Sequence, residues 1–557
     1  MSSLQLKLVS LLVQEHFGDV VEKICTHLLK SGSNNFRSVV STVKEKPEQV
    51  KKALCVLIQH NIVKYGLNKR GMVEYTADVE KALLLVRYPR YIYSAKTLYG
   101  DIGELIVEEV LHHGEILMSN VVEKVKVRLK EAMEGNQLEP SAIKDKFIDL
   151  VNTHFLQRLP SWSAEDDEES KVIPLIPHLS VSDADLYRIP ETAGVTGKRK
   201  RPLNDGGRSS KRARSSSVGS EPDQEVPLDD GIYWKVNFER FHRYFRDQDI
   251  ISAITQRIDK SAGDVVATML RMSELTTDFM ARETKPLSFH DIARQMPKKL
   301  ENRQLEQYMK LLLDDQTMIV KKYGDAGGGM YEIDLEQASR VICTANIESV
   351  VQERFGSKSF RIFKTLLKKK YLEQKQIENF ALIPAKEAKE LVYQMFAENF
   401  ITVQEIPRTP DHAPSRTFYL FTVELGQVTF MLAERCYKSL INLMTRRHFE
   451  SAENKRLIEK EQKVEAITAS MQGSGAEPAQ LEEIEKTMTQ LEKEQLQKYK
   501  GRIAKLEEIE KTMTQLEKEQ LQKYKGRIAK LEQSELQTDK TVFVLNSFIL
   551  QEAEGRL

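Results

Sequence analysis

Four times along this chain an amphipathic helical pattern ends, a few polar residues follow, and a short apolar strand begins. The copies are Leu57–Val63, Leu150–Leu156, Leu313–Ile319 and Met395–Ile401. In each, an apolar helix residue (Leu57, Leu150, Leu313, Met395) stands five places before the first apolar residue of the strand (Ile62, Phe155, Met318, Phe400). A unit recurring in diverged form reads as a structural repeat. In the first copy Phe17, Val20, Val21, Ile24 and Leu28 follow helical spacing, and Lys30–Ser33 breaks that helix. Phe36, Val39, Val40 and Val43 begin a second helix. Pro47 stands where proline favours the first turn of a third, whose buried face carries Val50, Leu54, Leu57 and Ile58. Ile62–Tyr65 and Met72–Tyr75 then alternate as strands about a Gly66–Gly71 turn.

Three helices and a two-stranded wing predict a winged helix. The third copy repeats the plan, with Met318–Tyr323 and Met330–Ile333 flanking the glycine-rich wing Gly324–Gly329. The fourth has strands at Phe400–Ile406 and Thr417–Val423. The second copy shows no clear returning strand, which leaves its wing in doubt. From Phe430 the period changes: Leu457, Val464 and Met471 recur every seven residues, the spacing of a coiled coil. Gly473–Gly475 and Pro478 predict a hairpin turn, and a last short helix is expected around Thr541–Gln551. The fold class expected is mainly α. Four tandem winged-helix domains span 1–80, 81–160, 231–335 and 336–425, and a coiled-coil hairpin spans 426–557.

The segment 161–230 departs from this pattern. An acidic run, Glu165–Glu169, leads into a Gly/Ser-rich basic stretch with too little apolar content to offset its ordering entropy, as in a disordered linker. Within it, Lys198, Arg199, Lys200 and Arg201 precede Lys211, Arg212 and Arg214, two basic clusters spaced like a bipartite nuclear import signal. The apolar piece Val172–Ile176 is a candidate for docking on a neighbouring domain.

Charge over the whole chain is balanced, with 83 basic and 82 acidic residues among 557, so any hold on nucleic acid must come from local patches. No apolar run approaches the length of a membrane span, and no membrane partner is expected. Met1–Lys7 has no basic region ahead of an apolar stretch, so a secretory signal is not expected. Four cysteines far apart in sequence argue against a disulfide scaffold or thiolate zinc site. No catalytic, cofactor-binding or metal-ligating fingerprint stands out, and the histidines are scattered. The expectation is therefore a binding protein with no active site and no cofactor.

Candidate DNA contacts follow from the winged-helix plan, in which the third helix meets the duplex and the wing meets its backbone. They are Lys51 and Lys52 at the start of the first unit's third helix and Lys64, Lys69 and Arg70 on its wing. The third unit offers Lys298 and Lys299 before its third helix and Lys321 and Lys322 beside its wing. Such contacts would give affinity largely without sequence reading. The run Arg87-Tyr88-Pro89-Arg90-Tyr91-Ile92-Tyr93, with Lys96 and Tyr99, mixes cations and aromatics. It suits either base stacking or a packed connector, with packing favoured.

That run, together with Leu11–Gly18, Gln49–Leu57, Gly103–Glu109 and Tyr233–Phe241, resembles the family of winged-helix subunits, third by size, of eukaryotic DNA-directed RNA polymerase III. The resemblance covers nearly the whole chain. It implies four extended winged helices, a C-terminal coiled coil and a nuclear, non-catalytic subunit. It also implies a peripheral heterotrimer seated on the clamp of the largest subunit, acting in initiation and promoter opening with other polymerase subunits and DNA as partners. The alternative from a different class is a free winged-helix transcription regulator. Such a regulator would concentrate base-reading Arg, Asn and Gln on one third helix.

Residues 481–505 read LEEIEKTMTQLEKEQLQKYKGRIAK, and 506–530 repeat them without change. Identity even at solvated positions points to a recent duplication or a gene-model error. At ~1.5 Å per residue the extra copy adds roughly 37 Å of helix, expected as an overhang or a displaced hairpin tip.

The linker generates the first prediction. Changing Lys198–Arg201 and Lys211–Arg214 to alanine leaves the folded units intact and lowers nuclear accumulation of the isolated chain. Undiminished accumulation in cells without co-import partners would remove the import assignment.

Overall fold

The computed structural model describes residues 2–132, 140–162, 179–180, 185–189, 231–296, 301–411, 414–456, 458–459, 462 and 515–554. It divides into two compact units. One comprises Leu12–Thr365 with Ser547–Leu557, the other Met1–Leu11 with Leu366–Asn546.

Helix α1 (Ser3–Phe17), whose residues up to Leu11 belong to the second of these units, and α2 (Asp19–Ser31) precede the two-residue strand β1 (Asn34–Asn35), α3 (Phe36–Val43) and α4 (Pro47–Gln59). Strands β2 (Val63–Leu67) and β3 (Val73–Ala77) follow, and the sheet order is β1-β3-β2. The wing's returning strand thus lies in the middle. Next come α5 (Val79–Leu83), the long helix α6 (Tyr88–His113), β4 (Ile116–Leu117), α7 (Met118–Ala132), α8 (Pro140–Asn152) and β5 (Leu156–Arg158). A minor pair, β6 (Ser161–Trp162) and β7 (Leu179–Ser180), falls inside the segment expected to be a linker.

The strand missing from the second wing lies beyond that segment. Strand β8 (Tyr233–Val236) pairs with β4 at Ile116↔Trp234 and with β5 at Leu156↔Val236, giving the order β4-β8-β5. It occupies the place of β3 in the first sheet. Residues 163–230 are therefore an insertion within the second wing, and the third domain does not begin at 231 as expected. Part of the insertion returns to this wing. The Arg158 N–H donates to the Leu186 carbonyl at 2.9 Å, and Tyr187 stacks on His154 at 3.6 Å between ring centres. The basic clusters and Val172–Ile176 lie outside the described residues.

Asn237 turns β8 directly into α9 (Phe238–Arg257), which leads to α10 (Lys260–Ser273). The Asn237 N–H donates to the Phe155 carbonyl at 2.9 Å, its Nδ2 donates to the His154 carbonyl at 3.0 Å, and its Oδ1 accepts from the Arg240 N–H. The third winged helix continues with β9 (Leu287–Ser288), α11 (Phe289–Gln295), α12 (Asn302–Leu313), β10 (Val320–Gly324) and β11 (Met330–Ile333). Its sheet runs β10-β11-β9 over a core that includes Val265, Met269, Ile292, Leu305, Met309 and Ile333.

Helix α13 (Leu335–Lys369) leads to α14 (Gln374–Ala381), α15 (Ala385–Ala397) and the hairpin β12 (Thr402–Pro407) and β13 (Thr417–Thr422) of the fourth wing. The counterpart of β1 here is a single bridge, Leu372↔Phe421.

The five-residue spacing read from the sequence has a physical origin. The N–H groups of Ile62, Phe155 and Phe400 donate to the carbonyls of Leu57, Leu150 and Met395 at 2.9, 2.9 and 3.0 Å. Asn61, His154 and Asn399, one residue earlier, hold positive φ of 57°, 67° and 63°. That is the Schellman ending, whose six-to-one bond joins residues five apart and satisfies an orphan carbonyl. In the third copy the left-handed residue is Met318 itself, and the buried residue just ahead of the strand is Ile319. The sequence match at Leu313–Met318 is therefore one position early.

A second repeated device escaped the sequence reading. Phe17-Gly18-Asp19, Tyr99-Gly100-Asp101 and Phe355-Gly356-Ser357 break successive helices with φ of 87°, 76° and 82°. Only glycine adopts this backbone readily, so an extra helix precedes the first helix of three units.

The hairpin pairs α16 (Leu425–Glu453) with α17 (Gln515–Glu554). Tyr437 meets Asn546, Arg447 meets Glu535, Glu450 meets Arg527 and Ser451 meets Tyr524, an antiparallel register. Thr541–Gln551 is the end of α17 and not a separate helix; of the face expected from Val542, Leu545, Phe548 and Ile549, the first three are buried and Ile549 is half-buried, and Phe543 is buried as well. The second repeat copy therefore supplies Leu521, which is buried, Tyr524 and Arg527 to this interface. A hairpin in that register reverses halfway between Glu450 and Arg527, near residue 488. The Gly and Pro residues from which a turn is expected are at 473–478, roughly half a 25-residue copy earlier. With one copy removed, the halfway point moves to about residue 476, inside that turn. How the chain accommodates the surplus lies outside the described residues, as do Leu457, Val464 and Met471.

Because the copies are identical, deleting 506–530 puts Leu496, Tyr499 and Arg502 in the places of Leu521, Tyr524 and Arg527. The deletion is expected to keep partner association and thermal stability. An Arg→Ala change at this position is expected to cost the same in both lengths. Loss of polymerase association in the shorter chain would show that the extra length is functional, and a single-copy transcript would identify an annotation error.

Candidate nucleic-acid interface

The first wing carries its cations on a turn fixed by one side chain. Asn68 Oδ1 accepts from the backbone N–H groups of Arg70 and Met72 at 2.9 and 3.0 Å, and its Nδ2 donates to Glu74 at 2.8 Å. Two backbone bonds, Asn68 N–H to the Met72 carbonyl and Gly71 N–H to the Asn68 carbonyl, close the turn at 2.9 and 3.0 Å. Lys69 and Arg70 are left exposed at its tip. Lys51 and Lys52 are exposed near the start of α4, whose opposite face buries Val50, Ala53, Leu54 and Leu57. None of these four cations has an ion pair with a described residue. Lys64 differs: it pairs with Asp78 at 3.3 Å.

The third unit has the same backbone plan and the opposite electrostatics. Lys321 lies between Asp334 at 2.7 Å and Glu283 at 2.8 Å, and its pKa is raised chiefly by hydrogen bonds to these two carboxylates. Lys322 pairs with Asp325, which raises the lysine pKa and lowers that of the aspartate. Each cation already has its anion, so a phosphate would have to displace a carboxylate. Lys298 and Lys299 lie outside the described residues.

The aromatic and basic run at 87–99 is mainly a packed connector. Tyr91 is fully buried, bonds His242 Nε2 through its hydroxyl at 2.8 Å and stacks on Phe245. Arg90 lies 4.0 Å over the Phe245 ring, Tyr88 stacks on Phe238, and Tyr99 bonds Thr153 at 2.6 Å. Burial, then the nearby Arg87, lowers the pKa of His242 well below its ordinary value. Lys96 pairs with Glu104 and Asp101. Only Tyr93 of this tyrosine set is largely exposed, at 70%.

A row of arginines, Arg240, Arg243 and Arg246, lies at three-residue spacing along α9. They donate to the carbonyls of Thr153, Thr277 and Phe279 at 3.0, 2.9 and 3.0 Å, and Arg240 also pairs with Glu274. These arginines are structural, and their three-residue repeat within Phe238–Arg246 is the sequence signal of that role.

Among the described residues no cluster of three metal-ligating side chains occurs, and no helix is long and apolar enough to cross a membrane.

Four family descriptions match successive parts of the chain. The RNA polymerase III subunit RPC82 helix-turn-helix domain matches 7–68, and RNA polymerase III subunit RPC82 matches 145–342. The C-terminal winged-helix domain of POLR3C matches 347–423. The helical hairpin domain of DNA-directed RNA polymerase III subunit RPC3 matches twice, over 456–507 and 504–544, meeting where the two repeat copies join. Along its length the chain is similar to DNA-directed RNA polymerase III subunit RPC3 of Bos taurus, 48% identical over 553 residues and 99% of each chain. The Homo sapiens and Danio rerio proteins of that name are 47% and 44% identical, again over 99% of each chain. Winged helices, a C-terminal helical hairpin and full-length similarity agree: the chain belongs to the RPC3 family of DNA-directed RNA polymerase III subunits.

Proposed function

We propose that this chain is the non-catalytic member of a peripheral heterotrimer on the polymerase III clamp, binding DNA and partner subunits during initiation and promoter opening in the nucleus. Its likeness over 99% of its length to RPC3 subunits carries the reading. Within it, the first winged unit meets DNA through Lys51, Lys52, Lys69 and Arg70, whose charge is left uncompensated by described residues, while Lys321 and Lys322 serve the third unit's own carboxylates.

The full chain, expressed with a tag in cells, is expected to co-elute with the polymerase core. Elution as a free DNA-binding protein would instead indicate an independent regulator. In vitro, K69A/R70A is expected to weaken duplex binding without unfolding the chain. It should also reduce the slope of log affinity against log salt by about two, one counterion per lost phosphate contact. K321A/K322A should leave that slope unchanged. An unaltered slope in K69A/R70A would remove the first wing from the DNA contact.

A further inference from the structure

The fourth winged unit turns aromatic side chains outward on its third helix, α15. Lys386, Lys389, Tyr393 and Phe396 follow one another there at spacings of three, four and three residues, which gathers them on one face. All four are exposed, Tyr393 at 48% and Phe396 at 42%. The buried residues Ala388, Val392 and Met395 lie beside this stripe and hold the helix to its unit. Among the described residues no other third helix exposes an aromatic ring: α4 exposes Lys51, Lys52 and Cys55, and α12 exposes Arg303, Gln307 and Leu311.

The stripe borders the wing. Tyr393 meets Phe421 edge to face at 6.1 Å between ring centres. Strand residues two apart share a face, so Tyr419 continues the face of Phe421 toward the wing tip. The pairs Val403↔Phe421 and Glu405↔Tyr419 put Val403 and Glu405 on that face as well. Phe421 is buried, whereas Tyr419 is 40% exposed and Glu405 opposite it is exposed. The exposed rings of Tyr393 and Tyr419 thus both neighbour Phe421, and Phe396 lies one turn along α15 from Tyr393. Charge on this surface has both signs. Lys386 and Lys389 have no ion pair with a described residue, and the exposed carboxylates Glu390 and Glu405 stand beside the two tyrosines.

We infer that this surface docks a polypeptide segment of another polymerase subunit, one that brings apolar side chains to Tyr393, Phe396 and Tyr419 and an acidic residue to Lys386 and Lys389. The inference rests on the chain working among other polymerase subunits. Exposed aromatic rings with charge at their rim are the composition of a protein interface. Charge selects polypeptide over nucleic acid. A nucleic-acid backbone carries one sign of charge along its whole length. A single strand stacked on Tyr393 and Tyr419 would run its phosphates past Glu390 and Glu405, and a duplex laid along α15 would meet Glu390. A polypeptide varies its charge residue by residue, so it can oppose the two lysines with an acid and meet the carboxylates with polar or basic groups. The fourth winged helix thereby serves assembly, while the first serves DNA.

The test places the photoreactive residue p-benzoylphenylalanine at position 393 or 419 of the full chain. The polymerase is purified through this chain, assembled on promoter DNA and irradiated. Both positions are expected to join the chain to the same other subunit, through a peptide that mass spectrometry shows to carry an acidic residue beside apolar ones. Lys386 and Lys389 are exposed, so K386E/K389E is expected to keep the melting temperature and to lower the yield of that crosslink about fivefold, the order of one to two charge pairs reversed at a rim. Crosslinks to DNA, to a second copy of this chain or only within the chain would overturn the docking site. So would the absence of any crosslink in an assembled polymerase, or a full yield in K386E/K389E. Failure of the unmodified chain to purify with the polymerase would instead refute the subunit reading on which the inference rests.

Discussion

The strand Tyr233–Val236 is the element on which the larger of the two compact units depends. It is the central strand of the second winged sheet, and it runs without a loop into the helix that begins the third unit. Its Trp234 is fully buried and meets Phe147 edge to face at 5.6 Å. Immediately beyond, Phe238, Phe241, His242 and Phe245 surround Tyr91, and Arg240 lies 4.4 Å over Phe155 while bonding the Thr153 carbonyl. Aromatic pairs and cation–ring contacts of this kind add to the area they bury. The second and third units thus share a seam with sequence-distant sides. The long segment between them is an insertion in one wing, and the strands on either side of it, Leu156–Arg158 and Tyr233–Val236, pair in the same sheet.

That arrangement bears on function. A flexible linker would let the second and third winged units move independently at this point. An insertion between two strands of one sheet leaves the pairing of those strands intact. The first wing, in the same compact unit, then presents its cations from a supported frame. The comparison between the first and third wings shows how one backbone plan serves two ends. In one, Lys69 and Arg70 have no described carboxylate partner; in the other, Lys321 and Lys322 are paired with Glu283, Asp334 and Asp325. Fold alone does not distinguish the two wings, and the ion pairs around each cation do.

Much of the fold was legible because its strongest signals are local. Helical periodicity placed α2, α3 and α4, and the five-residue spacing at Leu57–Ile62 reflects a hydrogen bond between the same two residues. What escaped was non-local or carried by too few residues. Tyr233–Val236 alternates like a strand, yet its partners at Ile116 and Leu156 lie far upstream. The aromatic-Gly breaks at Gly18, Gly100 and Gly356 are three dipeptides dispersed over the chain. The candidate DNA residues were chosen by charge and position alone. The structure distinguishes Lys69 from Lys321 only through carboxylates such as Glu283, which sequence distance hides.

The claim that the second wing is closed across the insertion is tested most directly by cutting it. A protease site placed between residues 203 and 210 of the full chain, cleaved after folding, separates the polypeptide on one side of Tyr233 from the other. The account predicts that both fragments elute together at the size of the intact chain and separate only on denaturation. Separation under native conditions would show that the segment is a true interdomain tether and that the seam around Trp234 and Tyr91 does not hold the units together.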